Sequence, residues 1–214
     1  MTFEEYFGEW IKVIDKNEMN KILNNLKLLP KNKLSPNFNC IFEAFHYCKL
    51  KDLKVVFIGG NPIPNTTTGL LFGNEEETLQ LSIIKESSIN FEIPHNSLIF
   101  DNSLKEWAKQ GVLLLHSSLV SINGKGNMLM WLPFLSSLLT NLSLYETGII
   151  YVLMGKQAQN LESYINQKNN IIYKEEDLNY YIKNNKKMSS QLFININDYL
   201  KKQYGNTIKW YYEI

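Results

Sequence analysis

Cysteine is scarce, with two in 214 residues. Cys40 and Cys48 lie eight positions apart. That spacing fits neither a zinc site nor a disulfide framework, so a reducing compartment is expected, with both thiols as small core residues. Histidine numbers only three. His46, His95 and His116 lack cysteines or paired carboxylates at ligand spacing, so no metal and no other cofactor is expected. An excess of either charge is also missing: Lys plus Arg total 22 and Asp plus Glu 21, a formal net charge of +1. A strongly basic nucleic-acid binder is therefore not indicated, and any DNA contact must come from a local patch. No apolar run approaches the roughly 20 residues of a membrane span, so no membrane partner is expected. The opening MTFEEYFGEW has neither the basic start nor the apolar run of a secretory signal, which predicts a cytoplasmic, unsecreted protein. The sequence also holds no GxxxxGK[ST] phosphate loop and no Ser-centred nucleophile elbow.

What is present reads as one globular domain over 1–214, with 44% hydrophobic and 13% aromatic residues to fill one core. Phe3, Tyr6, Phe7, Trp10, Ile11 and Ile14 recur at helical spacing. Further helices are predicted over 17–28, 38–48 and 78–88. Ser103 and Glu106 form a capping-box pattern ahead of Trp107. Trp131, Phe134, Leu135, Leu138, Leu139 and Leu142 mark one face of a long helix, and Phe193, Ile196, Leu200 and Tyr204 the last one. Between them lie short apolar strands at 55–58, 112–115, 149–154 and 171–173. Apolar strands alternating with helices predict a three-layer α/β/α sandwich around a four-stranded, mostly parallel sheet. In such sheets the ligand sits beyond the carboxyl ends of the strands.

Two segments fall there. The loop GGNPI (59–63) follows the first strand; its glycines allow close backbone approach, and Asn61 offers one acceptor and two donors. Taken alone, it reads equally as a tight turn. His116 ends the second strand, where a lone histidine is commonly a satisfied polar residue. Elsewhere, Lys183, Lys186 and Lys187, followed by Ser189 and Ser190, could touch phosphates or simply form a solvated loop.

Several segments together resemble the uracil-DNA glycosylases typified by the bacterial repair enzyme. They are IFEAF (41–45), LKVVFIGGNP (53–62), GLLF (69–72), LKEWAKQGVLLLHSSL (104–119), WLPF (131–134), VLMGKQAQ (152–159) and FININDYLKKQYGNTIKW (193–210), all in order. The resemblance spans Trp10 to Trp210. It implies a protein that flips a base out of the DNA stack and hydrolyses its bond to the sugar. The family's first motif, G-Q-D-P-Y-H, reads here Gly59, Gly60, Asn61, Pro62, Ile63 and Pro64. An amide thus replaces the water-positioning carboxylate, and Ile63 replaces the tyrosine that screens out thymine. A mismatch-directed branch uses G-I-N-P-G, with Asn holding the water. Phe72 retains the ring that stacks on the flipped base, and His116 replaces the Asn that reads uracil's edge. The phosphate-pinching Pro-Pro-Ser loop is replaced by Glu77, Thr78 and Leu79. The H-P-S-P-L-S motif falls near DLNYYI (177–182), which has no His and offers Leu178 or Tyr180 as duplex wedge.

The resemblance therefore predicts a base pocket of Gly60, Pro62, Ile63, Phe72 and His116, with Asn61 positioning water. Asn61 and His116 should face one cleft. Two functions stay open. One is a DNA-associated glycosylase with weak or lost uracil excision. The other is a non-catalytic scaffold with a protein partner, for example in viral or phage replication or in a virion.

Overall fold

The computed structural model describes residues 2–66, 68–89 and 98–213; His95 lies outside the described residues. In chain order the elements are α1 (Phe3–Phe7), α2 (Lys16–Lys27), β1 (Leu34–Ser35), α3 (Glu43–Tyr47), β2 (Val55–Gly59), α4 (Leu79–Ser88), β3 (Leu98–Ile99), α5 (Lys105–Lys109) and β4 (Val112–His116). There follow β5 (Ser121–Ile122), β6 (Lys125–Gly126), α6 (Met128–Tyr145), β7 (Ile150–Met154), α7 (Gly155–Gln159), β8 (Ile171–Glu175), α8 (Leu178–Asn184), α9 (Gln191–Tyr204) and β9 (Tyr212–Glu213).

The central sheet runs β4-β2-β7-β8, and every pairing in it is parallel. Val55 stands level with Val112 on one side and Ile150 on the other. All residues of β2, β4 and β7 are buried, as the unbroken apolar runs require when helices flank the sheet. The expected strand at 112–115 therefore does lie beside that at 55–58. Phe57 projects from β2 onto Phe193 of α9, with ring centroids 6.2 Å apart. Phe193 also packs edge-on against Trp107 and Trp210, and the Trp107 indole donates to the Trp210 carbonyl at 2.8 Å. The C-terminal segment is thereby fixed to the core by aromatic area and one buried hydrogen bond.

Local chemistry moves several predicted boundaries. Helicity in 3–14 breaks at Gly8, whose φ of 54° ends α1, and a 3-10 turn follows. Ile11 is consequently 41% exposed rather than on the core face. The segment 38–48 is a 3-10 turn plus the short α3, so Cys40 and Cys48 do not share a helix. Cys48 is buried but Cys40 only half-buried, which corrects its reading as a core residue. The Ser103–Glu106 capping box does not form, because Leu104 takes a left-handed conformation and α5 starts one residue later. Asp101 caps instead, accepting from the Ser103 N–H, the Ser103 hydroxyl and the Glu106 N–H.

By length and composition α6 is apolar enough to cross a membrane. It packs here as a core helix, burying Trp131, Phe134, Leu135, Leu138, Leu139 and Leu142.

Candidate functional site

The carboxyl ends of β2 and β4 open onto one cavity of about 200 Å³. Gly60, Asn61, Pro62, Ile63, Phe72 and His116 all line it. It lies below the roughly 300–1,000 Å³ of pockets for drug-sized ligands, so a single-ring base suits it better than a larger group. The side chains predicted to share a cleft therefore do so.

The loop after β2 is held from outside by two serines. Ser121 donates its hydroxyl to the Pro62 carbonyl at 2.7 Å, and Ser35 donates to the Ile63 carbonyl at 2.6 Å. Thr66 adds a 2.8 Å bond to that same carbonyl. A loop whose carbonyls are satisfied by side chains need not borrow its shape from a regular turn.

Asn61 turns toward β6. A Cβ built on Gly126 would lie 2.3 Å from Asn61 Oδ1, so only glycine leaves room for the amide there. Among the described residues, that Oδ1 is buried without a hydrogen-bond partner. The His116 ring is 5% exposed, and its Nδ1 lies 3.0 Å from the Gly60 carbonyl. A carbonyl only accepts, so Nδ1 carries the proton. Burial pushes the ring's pKa down to about 4, opposed by the Gly60 and Leu70 carbonyls. The imidazole is thus neutral near pH 7. Its Nε2 makes no hydrogen bond among the described residues.

Phe72 is 9% exposed and has φ 65°, the left-handed region that β-carbon-bearing residues avoid. Its backbone is fixed by neighbours: Leu71 N–H donates to the Leu114 carbonyl, and Thr68 Oγ1 donates to the Gly73 carbonyl at 2.8 Å.

These features match a known family. The family described as the Uracil DNA glycosylase superfamily matches residues 45–201. The chain belongs to the uracil-DNA glycosylase superfamily. The uracil-DNA glycosylase of Borreliella burgdorferi (strain ZS7) is 30% identical over 217 residues, covering 97% of this chain and 92% of that protein. That of Buchnera aphidicola (strain Tuc7) is 30% identical over 179 residues, covering 77% and 80%. In three dimensions the mimivirus uracil-DNA glycosylase superposes with a TM-score of 0.68 at 15% identity, covering 97% of this chain and 91% of that one. The enzyme from Nitratifractor salsuginis gives 0.56 at 16% identity, covering 91% and 90%. Both structures speak for the shared fold.

The residues expected to form the site separate into two groups. The six cavity residues are together. The phosphate candidates are not among them: Lys183, Lys186 and Lys187 are exposed around the end of α8 and do not line the cavity. Lys186 donates to the Tyr180 hydroxyl at 2.9 Å, and Lys187 lies 4.0 Å from Glu86. Ser189 and Ser190 open α9; Ser189 accepts from the Gln191 N–H. The wedge reading is corrected for Leu178, which is 1% exposed and faces the cavity. Tyr180, the other candidate, is 37% exposed.

Four participants carry no mark in the sequence that singles them out: Asp177 and Gln157 in the lining, and Ser35 and Ser121 behind the loop. Asp177 opens the DLNYYI segment, which is conspicuous for the histidine it lacks rather than for the carboxylate it has. The two serines give no local signal, since their partners lie 28 and 59 positions away.

Proposed function

We propose that this protein engages DNA, accepts a flipped pyrimidine beside Phe72 and releases uracil slowly. The observation that carries the reading is the single cavity joining Asn61, Phe72 and His116 beyond the ends of β2 and β4. Superfamily membership supplies the reaction class: water adds to the sugar carbon, and the bond to the base breaks. Slow release follows from the substitutions. An amide at 61 cannot stabilise a cationic sugar as a carboxylate does. His116 offers one free ring nitrogen where the family places a side-by-side donor and acceptor. Loss of one preorganised partner of developing charge typically costs roughly 100- to 1,000-fold in rate. The protein would work where DNA is, in the cytoplasm of a bacterial or virus- or phage-infected cell.

A second reading is a non-catalytic scaffold bound to a protein partner in viral or phage replication. The neutral, buried His116 favours it, because the ring fills the base-reading position and commits its N–H to Gly60. Incubating the protein with uracil-containing single- and double-stranded oligonucleotides, and scoring cleavage and retention together, separates the two. Slow excision supports the glycosylase. Neither excision nor retention leaves the scaffold.

A further inference from the structure

The chemistry proposed for this cavity needs a negative charge near the sugar, and Asn61 does not provide one. The cavity nonetheless contains a carboxyl group. Asp177, just beyond β8, is the acidic residue among those lining it. Its placement is specific. Oδ1 accepts the Asn179 N–H at 2.8 Å, which fixes the side-chain rotamer at the start of α8. Oδ2 is then directed over Gly60: a Cβ on Gly60 would lie 3.1 Å from it. A Cβ on Gly155 would lie 2.9 Å from the Asp177 Cβ. The ends of β2 and β7 are therefore both bare of side chains where this carboxyl packs. The Asn61 amide, also in the lining, is turned into the Gly126 gap, its oxygen buried and unpartnered among the described residues.

We propose that Asp177 is the catalytic carboxylate of this protein, taking a role that position 61 has lost. The inference rests on the glycosylase reading. In the step assigned to it, a water oxygen bonds to C1′ of the deoxyribose as the C1′–N1 bond breaks. The bonding electron pair leaves with the pyrimidine. One water proton passes to the Asp177 carboxylate and then to solvent, and the departing base takes one proton from solvent. Before proton transfer, the carboxylate stabilises the positive charge on the sugar. The other role open to Asp177 is helix capping alone, and the side chain's chemistry separates the two, because Asn and Ser cap as well as Asp does.

The test uses the full chain and a single-stranded oligonucleotide containing one uracil, with enzyme in excess. Asp177→Asn and Asp177→Ser both keep a cap and remove the carboxylate. Both are expected to lower the excision rate by at least about 100-fold, with thermal midpoint and oligonucleotide affinity unchanged. Asn61→Asp introduced into the Asp177→Ser protein should restore excision at least about 10-fold, by returning a carboxylate to position 61. Excision by both single variants within about 3-fold of the starting protein overturns the proposal while leaving the glycosylase reading intact. Loss of excision together with loss of thermal stability, unrescued by Asn61→Asp, reduces Asp177 to a cap and also overturns it. A starting protein that releases no uracil removes the glycosylase reading, and the proposal with it.

Discussion

Ser35 and Ser121 stand opposite each other as partners in the β1–β5 ladder, and their hydroxyls hold two successive carbonyls of the site loop, those of Ile63 and Pro62. Two strands of two residues each thus act as a clamp on the motif that carries Asn61. Both serines are buried; removing the Ser121 hydroxyl leaves the Pro62 carbonyl short of a donor, and removing that of Ser35 takes one donor from the Ile63 carbonyl, which keeps Thr66, and an acceptor from the Thr66 N–H. The double variant Ser35→Ala/Ser121→Ala should lose about 2–4 kcal/mol of unfolding free energy, from roughly 1–2 per missing bond. Urea denaturation measures this. A loss no larger than that of a surface Ser→Ala control would show that the clamp does not hold the loop.

His116 gives stability a pH dependence of known sign. Its folded-state pKa, about 4, lies below the ordinary 6.5 because burial disfavours the charged ring. The unfolded ring takes up a proton as pH falls through 6.5, while the folded ring stays neutral down to about 4. Stability from this group is complete above the upper value and drains away as pH falls between the two. The loss should reach roughly 2 kcal/mol by about pH 5. Urea midpoints at about pH 7.5 and about pH 5, compared with those of His116→Asn, isolate the contribution. Parallel pH dependence in the two proteins would contradict it.

Ile63 sets what the cavity admits. It lines the cavity and is smaller than the tyrosine that the family resemblance implies for this position, so thymine and 5-hydroxymethyluracil should compete with uracil to within about 10-fold. Ile63→Tyr should weaken the 5-substituted bases selectively, by at least about 10-fold, and leave uracil little changed. Competition among oligonucleotides carrying each base, with an abasic one included, gives the answer. Equal binding of all four would mean that no base enters.

Every one of the 22 basic side chains is a lysine. Lysine meets phosphate as a hydrated point charge and lacks the fork of a guanidinium, so DNA affinity should be weak and steeply dependent on salt. Replacing Lys183, Lys186 and Lys187 with Ala should flatten the slope of log affinity against log salt by about 0.7–0.9 for each phosphate no longer neutralised. Fluorescence anisotropy across a salt series measures this. An unchanged slope would move the DNA face elsewhere.

The central sheet was legible because β2, β4 and β7 are buried on both faces, and five-residue apolar runs have few other uses. The loop GGNPI was legible by its place after the first of them. The bounds of the five-residue helices outside that sheet were not. The fates of 3–14 and 38–48 were decided by a positive φ at Gly8 and by packing of Phe42 and Phe45 against Trp131, Trp10 and Phe134. Likewise, whether Asp101 or Ser103 caps α5 depended on the left-handed turn at Leu104, which nothing in the local sequence demands. At the site, residues on strand ends could be found from order alone. Those reaching it from distant segments, Asp177 above all, required the closed sheet that brings β8 beside β7.

Phe72 holds its ring in place with a backbone conformation that costs a β-carbon-bearing residue roughly 1–2 kcal/mol. The cost is met by the hydrogen bonds on either side of it, from Leu71 N–H to the Leu114 carbonyl and from Thr68 to the Gly73 carbonyl, so the protein's own packing sets the ring's position. On the glycosylase reading proposed above, a base should then meet a ring already held in place. The kinetics of capture then belong to the nucleic acid: a base held in a paired duplex should be taken up more slowly than the same base in a loose strand, by the factor that separates their spontaneous opening.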